Sequence, residues 1–401
     1  MTASHVLVLN SGSSSVKYQL LNMTDRTRLA VGLVERIGED ASRLVHTPRG
    51  GDGRETTPRV PDHETALRAL AKELERDGLG FGSPRLAAVG HRVVHGGSRF
   101  TRPTVLDDAV LAEIERLTPM APLHNPANLG GIRVARALNP RLPQVAVFDT
   151  AFHATLPEHA ARYAVDVETA DAHGIRRYGF HGTSHAHVSR RTAELLGREP
   201  AEVNVIVLHL GNGASAAAVA AGRCVDTSMG FTPLEGLVMG SRSGDLDPAV
   251  VTYLTRTAGL DAEAVDELLN RRSGLLGLCG DNDMREVVRR MDEGDAAAEL
   301  AFGIYVHRLR KYIGAYCAVL GRVDAVAFTA GVGENMPRVR RAAVAGLAEL
   351  GLAVDERLNR EQSSTARVIS PQYARVAVAV VPTDEELEIA TQTYALVKDA
   401  G

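Results

Sequence analysis

Val203-Asn204-Val205-Ile206-Val207-Leu208-His209-Leu210-Gly211-Asn212-Gly213-Ala214, followed by the small-residue run to Ala220 and the turn Ala221-Gly222, changes its pattern three times within the length of one hairpin. Val205 to Leu208 is a β-branched run of the kind that makes a buried strand. His209 to Gly213 breaks it: two glycines around an asparagine permit positive φ and leave backbone N–H groups uncovered, which suits a turn that closes around an anion such as phosphate. Ala214 to Ala220 resumes an extended pattern, and Ala221-Gly222 returns the chain through Arg223 to Asp226 and Thr227. An ordinary β-hairpin would account for one such turn. The start of the chain repeats the device: Val6-Leu7-Val8-Leu9 leads through Asn10-Ser11-Gly12-Ser13-Ser14-Ser15 into Val16-Lys17. Two copies of strand, small-residue loop and strand, about half a chain apart, suggest two similar domains facing a shared polyphosphate.

The 401 residues exceed the roughly 250–300 at which one hydrophobic core stops growing, so two domains are expected. Apolar residues make up 45% and charged residues 23%, an ordinary soluble globular composition. The net charge of −4 argues against a nucleic-acid partner, and zero Trp leaves little for base stacking. Cys224, Cys279 and Cys317 are too few and scattered for a disulfide framework, so a reducing, cytoplasmic location fits. No basic region precedes the first apolar run, so no signal peptide is expected. The segment 203–222 is uncharged, but it is Ala-rich and interrupted by Gly-Asn-Gly, which speaks against a membrane span.

Between the two loops, residues 16–21 and 29–34 read as a strand meander, and Asp62 caps a helix whose Leu67, Leu70, Ala71 and Leu74 share one face. Residues 86–89 form a strand that runs into a glycine-flanked loop carrying Arg92, which is either a ligand contact or a surface arginine. Thr118 to Pro126 holds three prolines and reads as non-helical. The strand 145–148 ends in Asp149, a candidate for magnesium or catalysis, or else a helix cap. His181 and His185 have the spacing of zinc ligands, but Gly182-Thr183-Ser184 lacks the Glu of HExxH and looks like a turn capping a helix over 184–196. A histidine just before a helix N-terminus is better placed to meet an anion. Residues 229–248 form a long loop in which Arg242 stands between two serines and Gly244, positioned to reach a negative charge. Helices follow over 261–270, 283–291 and 295–320. A buried strand over 325–329 then leads to a third glycine loop, Ala330 to Asn335, with a helix after Pro337. A strand over 375–381 and a helix from Pro382 to Lys398 end the chain.

Taken together, these motifs resemble the acetate kinase family, within the acetate and sugar kinase, Hsp70 and actin superfamily. Asn10-Ser11-Gly12-Ser13-Ser14-Ser15-Val16-Lys17 and Arg177-Tyr178-Gly179-Phe180-His181-Gly182-Thr183-Ser184-His185 are similar to the family's two most specific motifs. His91 to Gly97, Met229 to Gly236 and Gly331 to Asn335 support them in the expected order. The resemblance implies an α/β fold of two actin-like (ribonuclease H-like) domains with a nucleotide cleft between them. The first domain is 1–149, completed by a C-terminal helix over 386–401; the second is 150–385. Asn10, Asp149 and Glu385 match the family's magnesium and catalytic positions, and Lys17 a nucleotide contact. His209, Leu210, Gly211, Asn212 and Gly213 match its ATP-binding segments, as do Asp283, Met284 and Arg285 and the run Gly331, Val332, Gly333, Glu334 and Asn335. Arg92, His181 and Arg242 match residues around the acceptor carboxylate and the transferring phosphoryl group. The resemblance places Val94, Leu123, Phe180 and Pro233 around the acid's alkyl end, where core packing is the alternative. Departures are Asp384 where Asn is usual, Ala214 and Ala330 where Gly is common, and Ser241 where Thr is usual.

The implied activity is reversible transfer of the ATP γ-phosphoryl group to acetate, with ATP/ADP as co-substrate, Mg2+ or alternatively Mn2+ as the ion, and a homodimer as the assembly. A kinase for propionate or another short acid, a hydrolase of the same fold, and an ATP-switched binding protein of the actin or Hsp70 type are the rival readings.

Overall fold

Strand β1 (His5–Ser11) buries every residue but Asn10, because it is covered on both faces. Leu7 and Leu9 pack with Val16, Tyr18, Leu67, Leu70 and Leu74 on one side of the sheet. Val6 and Val8 pack with Val145, Val147, Ile389 and Ala390 on the other. A strand covered twice has no solvent face to mark with polar residues, which is why the sequence there is an unbroken apolar run.

The computed structural model describes residues 3–12, 14–122 and 124–399. It divides into two compact units, Met1–Phe152 with Asp384–Gly401, and His153–Thr383. Asp384 and Glu385, read above as the end of the second domain, cluster with the first unit.

In the first unit β2 (Ser15–Asn22), β3 (Thr27–Glu35), β4 (Arg43–Pro48) and β5 (Arg54–Thr56) continue from β1 as an antiparallel meander. On the other side of β1 lie β6 (Leu86–Val93), β7 (Thr104–Val105) and β8 (Gln144–Phe148), giving the order β5-β4-β3-β2-β1-β6-β8-β7. β1, β6 and β8 are parallel. The helices His63–Arg76 and Asn125–Leu138 cover the Leu7 face, and the final helix Glu385–Asp399 covers the Val6 face. Asp62 caps the first of these through Thr65 N–H at 2.7 Å.

Two expectations are corrected here. Gly90 to Val93 continue strand β6 instead of forming a loop, since β1 and β8 pair with it on both sides. Gly90 is small because the final helix comes close: a Cβ there would stand 2.5 Å from Thr393 Oγ1 and 2.9 Å from Ile389 Cγ2. The proline segment also contains helix. Thr118–Met120 is a 3-10 turn and Pro126 is the second residue of a helix, and prolines in a first turn forfeit no hydrogen bond.

The second unit repeats the plan. β9 (Asn204–Leu210), β10 (Ala214–Ala220) and β11 (Arg223–Thr227) form an antiparallel meander; β12 (Ala325–Thr329), β13 (Arg367–Val368) and β14 (Ala377–Val380) complete the order β11-β10-β9-β12-β14-β13. β9, β12 and β14 are parallel, as β1, β6 and β8 are. The strand, loop, strand device of the sequence is thus β1–β2 in one unit and β9–β10 in the other. Helices Gly182–Leu195 and Ala296–Leu320 pack on this sheet. Asp261, Asp283 and Asp295 are N-caps, so their helices begin one residue later than the sequence suggested. Among the described residues no helix is long and apolar enough to cross a membrane.

Buried histidines couple this fold to pH. Burial pushes His91, whose Nε2 lies 2.8 Å from Gln144 Oε1, down to about 4, and it pushes His95 down to about 4 as well. Unfolded, both titrate near 6.5. Between those values the unfolded chain binds protons that the folded chain refuses, so stability is complete above about pH 6.5 and declines as pH falls toward 4. Urea midpoints should drop across this window, and His91→Gln should flatten the slope. Midpoints that stay constant from about pH 7 to 5 would contradict the assignment.

Candidate active site

In the first unit, the C-terminal ends of the parallel strands gather the polar groups. The β1–β6 register sets Leu9 beside His91, and β6–β8 sets Val93 beside Phe148, so Asn10, Arg92 and Asp149 end neighbouring strands. Arg92 makes a forked pair with Asp149, Nη2 donating to Oδ2 at 2.6 Å and Nε to Oδ1 at 3.3 Å. Asp149 is only 1% exposed. Glu385 begins the final helix 3.8 Å from Arg92 Nε, and Lys17 pairs with Asn10 across β1–β2. Burial raises the Glu386 carboxyl, with Glu385 and Asp384 adding to the shift and Lys17 opposing it. Asp384 caps the same helix through Leu387 N–H at 3.0 Å and pairs with Arg28 at 2.6 Å, which gives this departure from the family pattern a structural use. Val94 is buried. Leu123 lies outside the described residues.

The oxygen donors at this end, Asn10, Asp149 and Glu385, suit a hard cation such as Mg2+ or Mn2+. Among the described residues no three His, Cys, Asp or Glu side chains converge as a metal-holding group.

In the second unit, His181 is the N-cap of Gly182–Leu195 and takes a left-handed φ of 58°. Its ring stacks on His209 with centroids 4.2 Å apart. His181 and His185 converge on the Ser215 hydroxyl, so their spacing serves a hydrogen-bond network and not a zinc site. The turn Gly211-Asn212-Gly213 departs from expectation, because none of its residues adopts a left-handed φ. Gly211 is short of room, since a Cβ there would meet the Gly213 carbonyl oxygen at 3.0 Å, whereas one on Gly213 would stand in ordinary contact, 3.5 Å from Arg242 Nη1 and 3.6 Å from His181 Nε2, which places that turn beside both side chains.

Arg242 sits in the long loop that the sequence singled out. Gly244 at φ 68° lets that loop fold on itself: a Cβ there would lie 2.5 Å from the carbonyl oxygens of Gly236 and Leu237. The long helix holds the loop, Arg308 Nη1 donating to Gly236 O at 2.9 Å and Tyr312 O–H to Asp245 Oδ2 at 2.9 Å. Arg242 Nη1 meets only Pro233 O at 3.3 Å and Met239 Sδ at 3.8 Å, and no carboxylate among the described residues pairs with it. Burial pulls its pKa down. A largely desolvated guanidinium without a counter-ion is a site that favours an anion. Phe180, 2% exposed, gives its carbonyl to His153 Nε2 at 2.9 Å.

A cavity of about 530 Å³ lies in the same unit. Eight residues of the expected nucleotide segments line it: Gly211, Asn212, Asp283, Met284, Arg285, Gly331, Val332 and Asn335. The sequence reading missed Gly240, Leu275, Asn282, Tyr305 and Met336, which lie outside any glycine motif. Glycine turns and a helix N-terminus along an apolar wall can accommodate a nucleoside and its phosphates. Leu210 is fully buried, and His209 Nδ1 meets Ser184 Oγ at 2.7 Å. Gly333 packs against Phe328 and Leu210. Glu334 accepts from Ala330 N–H at 2.8 Å and Thr383 N–H at 3.1 Å, and so ties two loops together.

The third glycine segment is itself a helix, Ala330–Asn335, entered through Ala330 at φ 64°, where the family's glycine would be unstrained. Arg340 holds its carbonyl end. This side chain is 1% exposed, and Nη1 donates to Gly333 O at 2.9 Å and Glu334 O at 2.8 Å while Nε donates to Asn359 Oδ1 at 2.7 Å. Burial pushes it down to about 10. In sequence it hides in the basic run 338–341, although its spacing from Met336, Ala343, Val344 and Leu347 puts it on the apolar face.

A fold of this plan belongs to the two-domain actin-like phosphotransferases. The acetokinase family model matches residues 5–391, and the chain belongs to that family, whose members transfer a phosphoryl group to a carboxyl acceptor. It is 74% identical over 404 residues to an acetate kinase of Streptomyces griseus subsp. griseus, covering 100% of this chain and 98% of that one. The crystal structure of Porphyromonas gingivalis acetate kinase matches with a TM-score of 0.92 at 44% identity, over 98% of this chain and 100% of that one. A propionate kinase from Francisella tularensis matches with a TM-score of 0.91 at 40% identity, over 97% and 98%.

Arg340→Met should leave three buried carbonyl groups short of a donor and cost about 3 kcal/mol or more. Urea denaturation would read that loss, and calorimetry with ADP should show weaker binding. A variant as stable as the parent would mean that the helix end needs no cap.

Proposed function

We propose that the protein catalyses reversible, Mg2+-dependent transfer of the γ-phosphoryl group of ATP to acetate, giving acetyl phosphate and ADP. The observation that carries this is Arg242, a largely buried cation with no carboxylate partner among the described residues, held beside His181 and the Gly213 turn. An acceptor carboxylate is already ionised and nucleophilic, so the barrier lies in repulsion between two anions and in their alignment, not in proton removal. The residues match that demand. Arg92 orients the acid, and Asp149 fixes Arg92 in turn; both carboxylate oxygens are engaged with that guanidinium, which fits positioning better than proton acceptance. Arg242 and His181 stabilise the equatorial oxygens of the flattened phosphoryl group. His209 to Gly213, Asp283 to Arg285 and Gly331 to Asn335 hold the nucleotide, with Lys17 as a further contact. Asn10 and Glu385 would hold the ion, which when bound neutralises phosphate charge.

In this reading Val94, Phe180 and Pro233 are the residues that favour the acid's methyl group. One extra methylene in such a pocket costs only about 1–3 kcal/mol, so propionate is used, but less well. The assembly is a homodimer. Helix Ala249–Thr257 buries none of its residues, while Val250 is 39% and Tyr253 60% exposed, and a second copy would cover them. A single-chain mass in sedimentation would refute this part.

Incubation with ATP, Mg2+, hydroxylamine and each acid should trap acyl hydroxamate, more from acetate than from propionate. Phosphate release without an acid would point to a hydrolase, and no turnover at all to an ATP-switched binding protein. Arg242→Lys should keep ADP affinity and lose about a hundredfold in turnover, since a point charge cannot replace the planar fork. Glu385→Ala should raise the Mg2+ concentration required. Near-native turnover in the first variant, or an unmoved titration in the second, removes that residue from its role.

A further inference from the structure

His181 and His185 lie one helical turn apart and reach the same atom. Ser215 Oγ, on β10, is 2.9 Å from His181 Nδ1 and 2.8 Å from His185 Nε2. Ser215 and His185 are both fully buried. A hydroxyl has one proton to give, and Ser215 Oγ meets no acceptor among the described residues besides these two ring nitrogens, so its buried proton is satisfied only if one nitrogen is bare and receives it while the other donates. The tautomers of the two histidines are therefore linked. Either His185 Nε2–H donates to Ser215 and Ser215 donates to His181 Nδ1, or both hydrogen bonds run in the opposite sense.

His185 Nδ1 decides between them, being buried with no hydrogen-bond partner among the described residues. In the reversed arrangement His185 would have to carry its proton on that nitrogen, and an orphaned buried N–H is among the rarest features of native structures. In the forward arrangement Nδ1 is a bare lone pair and the proton sits on Nε2, where Ser215 accepts it. His185 does not escape by charging, because burial and the nearby rings of His153 and His209 hold its pKa well down.

We infer that His185 and Ser215 form a fixed hydrogen-bond relay that sets His181 as its neutral Nε2–H tautomer, so that a donor is presented toward Arg242 and the Gly213 turn. The inference rests on the role given to His181 above and makes Ser215 and His185 positioning residues for it. Arg242, the Gly213 turn, the Ser215 hydroxyl and the stacked ring of His209 are among the groups around the His181 ring. The tautomer matters there because a lone pair on Nε2 would repel an anionic phosphoryl oxygen, whereas Nε2–H donates to it. Protonating His181 would put a second proton on Nδ1, which would turn Ser215 around and push the His185 proton onto its unpartnered nitrogen. The relay thus also opposes an imidazolium at this position.

Two-bond nitrogen–proton correlation spectra of the full chain labelled with 15N-histidine test this directly, the His181 signals being assigned by their loss in His181→Asn. The expected result is Nδ1 resonating as an unprotonated nitrogen and Nε2 as a protonated one. The reverse assignment overturns the inference, and it needs no variant that could fail to fold. Ser215→Ala should shift His181 toward a tautomer mixture and lower kcat about tenfold or more, with KM for ATP within about twofold, while Ser215→Thr restores both. Unchanged spectra and kcat in Ser215→Ala overturn it as well. Should His181→Asn keep full turnover, the role of His181 in the proposed reaction fails, while the wild-type spectrum still judges the relay on its own.

Discussion

Cationic charge meets a phosphoryl group most strongly when the protein has not already neutralised it, and this constraint shapes the Arg242 loop of the second unit. Arg92 in the first unit is locked to Asp149 in a forked pair, a common way to keep a partly buried guanidinium. Arg242 is treated differently. Its own loop offers it a carbonyl and a thioether, so its position is maintained from behind, through the hydrogen bonds of Arg308 to the loop backbone and of Tyr312 to the Asp245 carboxylate, and through the glycine fold at Gly244. The long helix Ala296–Leu320 contributes no chemistry of its own here; its part is to supply rigidity to a loop that has no regular structure.

The repeated sheet plan distributes the rest of the work. In each unit an antiparallel meander joins three parallel strands, and functional groups collect beyond the strand ends, the general location of ligands in open α/β sheets. The first unit brings oxygen donors and an ion-paired arginine there. The second brings glycine turns, histidines and the cavity. Small residues serve spacing more than flexibility: Gly211 lets the turn close on its own carbonyl, and Gly90 lets a helix lie against its strand.

The elements that repeat a local pattern were legible in the sequence. Doubly covered strands such as β1, β9 and β12 announce themselves as apolar runs, the acidic N-caps as Asp before an apolar period, and the Arg242 loop by its length. What escaped depends on distant partners. Strand β6 continues through Gly90 because two neighbours support it, and Pro126 opens a helix because a first turn needs no N–H there. Arg340 carries no motif that sets its role, since only the fold supplies the three carbonyls around it. Tyr305 and Leu275 line the cavity from positions that carry no motif at all.

The final helix has a consequence for how the chain comes to be folded. Val6 and Val8 are made long before Ile389 and Ala390, which cover them from the far end of the described chain. An N-terminal unit ordinarily can fold while the remainder is still being synthesised. Here the Val6 face of the first sheet stays uncovered until the helix Glu385–Asp399 has been made, and Glu385 reaches its place only with that same helix. A nascent or prematurely terminated chain therefore exposes an apolar sheet surface and lacks one of its carboxylates, which makes it a substrate for chaperones and proteases before it can be an enzyme.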